Sequence, residues 1–127
     1  MNWQDAALAL AGIIGSATAV VHGILVQRFM VKPIETADIR LSAPVRRLVS
    51  PLLHFSTVTW FLGGLALIAA AIWFGHDARL TTALFVGGLF LYGAVGNLWA
   101  TRGRHPGWML MAAAVVLIGV GVGTSGG

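Results

Sequence analysis

AALALAGIIGSATAVVHGILV, residues 6–26, is broken by only three polar side chains, Ser16, Thr18 and His22. About 20 apolar residues in a helix rising roughly 1.5 Å per residue cross the hydrocarbon core of a bilayer. Ser and Thr are tolerated there because their hydroxyls bond back to carbonyls of their own helix. Gln27-Arg28 closes the run, and Asp5 stands before it. Ala17-Thr18-Ala19 resembles a small-residue cleavage site, but no Lys or Arg precedes the run as a signal peptide requires. The stretch reads as a retained membrane span.

Three further runs follow. One extends over 48–74, one over 78–101, and a shorter one over 107–123, where it fades into glycines. The expected fold is an all-α membrane protein, a four-helix transmembrane bundle with up-down-up-down order and one domain over 1–127. Lys32-Pro33 is expected to end the first helix, and Ser42-Ala43-Pro44 has the form of a helix start. Pro51 is harmless if Ser50 caps the second helix. It should kink a helix that begins near Pro44. Asp77 is the expected cap of the third helix.

Composition agrees. Charged residues make up 9% of the chain and hydrophobic ones 57%, whereas soluble domains carry about 25% charge. A small chain so poor in charge has too little polar surface to face water. There is no cysteine, which removes disulfides, thiolate metal sites and thiol nucleophiles.

Sidedness follows from the basic residues. Seven of the eight Lys and Arg (Arg28, Lys32, Arg40, Arg46, Arg47, Arg102, Arg104) fall in loops 28–47 and 102–106, and only Arg79 lies opposite. The positive-inside rule makes those loops cytoplasmic and leaves both termini periplasmic. Trp3 and Trp73 then mark the outer interface, and Trp99 and Trp108 the inner one. Indoles prefer that depth. Only Trp60 falls inside a span.

The first run carries small residues at five consecutive fourth positions: Ala7, Ala11, Gly15, Ala19 and Gly23. Apolar burial does not drive helices together in lipid, so close backbone approach must contribute more. The row reads as a helix-packing seam, against another span or a second copy.

Ionisable residues within spans are the first place to look for function. Asp5, Glu35, Asp38 and Asp77 all lie in termini or loops, which leaves His22 and His54. Counting from Arg28 and Arg47, both sit about 9–10 Å from the cytoplasmic ends of antiparallel helices, provided both stay helical. Asn97 joins that layer. The expected site is a polar cluster of His22, His54 and Asn97 with nearby hydroxyls. A second reading makes His22 and His54 ligands of haem or another metal, although metal sites usually take three or four protein ligands. A third has the histidines bond a small ligand, lipid headgroup or quinone. His76 and His105 lie in turns, outside the candidate set. Ser56 points about 160° away from His54 and does not serve it.

Hydrolytic and phosphate-binding motifs are absent from the sequence, and the basic residues sit where topology puts them, so nucleic acid is not an expected partner. A coupled transporter usually needs acids within its spans; a small transporter or channel subunit is the last alternative. The expectation is a multi-pass bacterial inner-membrane protein, accessory or interacting rather than catalytic. Its partners are membrane lipids and either itself or a larger membrane complex.

Overall fold

The computed structural model describes residues 1–123. It is all helical over that range, with no strand among the described residues. Helix α1 spans Trp3–Val26 and opens with a reciprocal capping box between Asn2 and Asp5. It does not stop at Lys32-Pro33. A π-helical turn, Gln27–Val31, joins it to the short α2, Lys32–Thr36. Pro33 has no N–H to give Phe29 and its ring presses on that carbonyl. The wider turn just before it gives the ring room, and the helix continues.

The connection to the next helix is therefore short, residues 37–42. Arg46 stitches it, donating to the carbonyls of Glu35 (3.4 Å) and Ile39 (3.0 Å). Helix α3, Ala43–Leu53, begins at the Pro44 signal, with Ser42 as its N-cap, and buries no residue. Pro51 lies inside it, and the helix breaks three residues later at His54 (φ −85°, ψ −2°) before resuming as α4, Phe55–Trp73. The interruption lies on the C-terminal side of Pro51, away from the Arg47 carbonyl that its ring crowds. Gly75, not Asp77, is the N-cap of α5, His76–Thr101; Asp77 instead sits in the first turn. There a carboxylate complements the helix dipole without closing the end. Left-handed Arg102 (φ 52°) and Gly103 (φ 75°) turn the chain into α6, Gly107–Val122.

The helices from Trp3 to Thr36, Ala43 to Trp73 and His76 to Thr101 are long and apolar enough to cross a membrane, while the 16-residue α6 is shorter. Helix α1 packs against α4 and α6, and α5 packs against the same two. Backbones almost touch where α1 crosses α4: a methyl at Gly12 would meet the Gly64 carbonyl, and one at Gly64 would lie 2.8 Å from the Ser16 nitrogen. The Phe90 ring lies against Gly15, and the Trp60 ring against Gly93, where a methyl would clash with it. Leu8, Leu67, Met111 and Phe90 are fully buried between these helices.

Outside, the molecule is apolar. Leu84, Phe85 and Tyr92 are 67%, 74% and 83% exposed, far more contiguous apolar surface than a water-soluble monomer shows. Trp3, Trp73 and Trp99 are exposed near helix ends, while Trp60 is buried. Such a surface belongs in lipid.

Candidate functional site

The two ends of the helices are built differently. At one end the Arg79 guanidinium pairs with the Asp5 carboxylate and donates to the Gly121 carbonyl (3.1 Å). Gln4 donates to the Gly123 carbonyl (2.6 Å). These contacts join α1, α5 and the end of α6. Arg79 holds the Asp5 carboxyl, just ahead of the apolar run, below the ordinary carboxylate range. The Asn2 backbone N–H, donating to the same carboxylate, adds to the effect.

The opposite, basic end carries Arg28, Lys32, Arg40, Arg46, Arg47, Arg102 and Arg104. None of these has a carboxylate partner among the described residues, where Arg79–Asp5 is the one ion pair. Just inside this end lie the predicted candidates, but not as one cluster. His22 is half-buried; its Nε2 lies 3.0 Å from Ser56 Oγ, in hydrogen-bond contact, and its ring tilts against Trp60 with centroids 4.6 Å apart. His54 Nε2 instead donates to Gln27 Oε1 (2.9 Å). Asn97 Nδ2 donates to the Gly93 carbonyl of its own helix (2.9 Å).

Cavities divide the candidates the same way. One, about 380 Å³, lies between α1 and α6. A second, about 570 Å³, lies between the basic-end halves of α4 and α5. His22, Trp60 and Asn97 line both and form the partition between them. His54 lines neither; it faces a groove of about 660 Å³ between α1 and α4, on the Gln27 side. The two imidazoles thus do not converge on one space, as shared metal ligation requires. Among the described residues no three His, Cys, Asp or Glu side chains are grouped to hold a metal.

The seam residues Ala7, Ala11, Gly15 and Ala19 are buried inside the chain and Gly23 is half-buried, with Thr57 Cγ2 2.7 Å from where its Cβ would be. Four side chains escaped the sequence reading of the site. Trp60 and His105 both line the smaller cavity, and His105 accepts from the Gly107 backbone in the turn (3.1 Å). Ser56 and Gln27 are the partners of the two histidines. For Ser56 the signal was present: a hydroxyl facing away from His54 on α4 is placed to serve a residue of another helix.

No protein-family model, curated protein or solved structure matches this chain.

Proposed function

We propose that this chain is a four-span protein of a bacterial inner membrane, with both termini periplasmic, that acts by binding a small apolar molecule rather than by catalysis. The fourth span is α6. At about 24 Å it is shorter than the hydrocarbon core, a mismatch that local thinning accommodates at modest cost. It runs from Gly121, beside Leu8, to Gly107 and Met111, which share a cavity with His22. It therefore covers the same depth as most of α1. Arg79 is the lone Lys or Arg of the periplasmic side, in keeping with that orientation.

The binding reading rests on one observation: His22 and Asn97 stand together on the partition between two otherwise largely apolar cavities. Small-molecule sites have this character, an apolar space with a few convergent polar groups. Ser56 holds the His22 ring in place, and Asn97 keeps its amide oxygen after donating to Gly93. The matching ligand is apolar with one hydrogen-bonding carbonyl or hydroxyl, as in an isoprenoid quinone, and it enters sideways from lipid between α4 and α5. Haem fits less well, because His22 Nε2 already meets Ser56 and His54 faces elsewhere.

Solvent extraction and mass spectrometry of protein purified in mild detergent test this. A bound quinone-like molecule is expected in the wild type and absent from Gly96→Phe, a substitution that enters open space in the larger cavity. A Soret band would overturn the reading in favour of haem. A reporter fused after Gly127 is expected to behave as periplasmic; cytoplasmic activity there would remove α6 from the spans.

A second reading, an accessory subunit, draws on Gly88 and Gly119, which face open space on the exterior. Outward glycines let another helix approach closely. Co-purification with a larger membrane complex, with no small molecule bound, would favour it.

A further inference from the structure

The groove that His54 faces is unlike the two cavities above. Its walls towards mid-membrane are Val20, Gly23, Ile24 and Thr57, and its mouth at the basic end is Gln27, Arg28, Lys32 and His54. No carboxylate lines it, and neither Arg28 nor Lys32 has an acidic partner among the described residues. The mouth is built on the π turn, which presents Gln27 to His54 and leads directly into Lys32. Wide turns of this kind recur at functional sites. Gly23 lets α4 come close here, and the groove is about 660 Å³.

We infer that this groove between α1 and α4 holds one anionic phospholipid, its phosphate between Arg28 and Lys32 and an acyl chain along Val20, Gly23 and Ile24. Two cations at headgroup depth attract a phosphate, and basic recesses between spans on the cytoplasmic side suit such headgroups. A free phosphate would meet the same cations but would gain nothing from the apolar walls. The bond from His54 to Gln27 fixes the floor of the mouth, so both residues position the site. The inference rests on lipid embedding, not on the His22 cavities, and stands if those prove empty.

Native mass spectrometry of the full chain in detergent, titrated with phosphatidylglycerol, phosphatidylcholine or inorganic phosphate, tests it. Phosphatidylglycerol is expected to occupy one site at least roughly tenfold more tightly than phosphatidylcholine, two nearby cations sufficing for that ratio. The Arg28→Ala/Lys32→Ala double variant should lose the preference. Arg102→Ala/Arg104→Ala, with equal charge removed from the same end, should keep it. Circular dichroism serves to show that both variants retain wild-type helix content. The inference fails if the preference survives in Arg28→Ala/Lys32→Ala, if both double variants lose it equally, or if inorganic phosphate displaces the lipid at comparable concentration.

Discussion

The Arg79 end and the Arg28 end of this molecule use the same kinds of polar group to opposite effect. At the first, two polar side chains have partners across helices: Arg79 has Asp5 and the Gly121 carbonyl, and Gln4 has the Gly123 carbonyl. At the second, the cations have no acidic partner among the described residues, and the histidines stand beside open space. The ion pair of the first end ties helices together, whereas the cations of the second, without a carboxylate, are available to an anion. One end is fastened across helices beside a cavity of about 430 Å³ lined by Gln4, His76 and Arg79, and the other carries the cations that lack an acidic partner.

The contrast can be attacked in order of expected effect. The largest belongs to the crossing that supports both ends. Gly64→Leu would drive a side chain into the backbone of α1 at Gly12 and Ser16. Overpacking costs about 1–3 kcal/mol even where neighbours can yield, and backbone yields least. Thermal unfolding in detergent should show a large loss of stability; an unchanged melting temperature would mean that the two helices do not cross there.

Arg79→Leu should have a smaller effect confined to the fastened end. It leaves Asp5 and the Gly121 carbonyl without their donor, lowering the melting temperature. It should also raise the labelling of a cysteine introduced in place of half-buried Val122, at the end of α6, while leaving that of one introduced near His105 unchanged. Equal increases at both ends would erase the distinction between them.

The smallest effect is a titration of the same pair. The Asp5 carboxyl is held below its ordinary value of 3.8. A depressed acid contributes stability that is complete above the unfolded-state value and disappears as pH falls through the folded-state one. Wild-type melting temperature should therefore decline below about pH 4 by more than that of Asp5→Asn. Parallel curves would mean that the pair adds nothing.

Much of the helical plan was legible because apolar run length and Trp placement report directly on lipid. The small positions Ala7, Ala11, Gly15 and Ala19 were legible as a row, and the row is buried. Helix ends were less so. Pro33 read as a stop, yet a π turn carries the helix past it; Pro51 drew attention to its own turn, and the break falls three residues on, at His54. That break also explains the site. The shared layer of His22 and His54 depended on both being helical, and His54 is where the helix gives way, with its ring turned to Gln27. Depth along a helix can be counted from sequence, but the neighbour a side chain meets depends on packing. Trp60 and His105 were missed for that reason, since one read only as the tryptophan inside a span and the other as turn chemistry.

Gln4 and Gly123 lie 119 positions apart in the chain and share a hydrogen bond. Helix α1 thus keeps one flank bare until residues 107–122 have emerged. Closure of the assembly therefore waits on α6, as the second step of two-stage folding does, and a nascent chain stalled after Thr101 would leave Leu8 without its Gly121 neighbour.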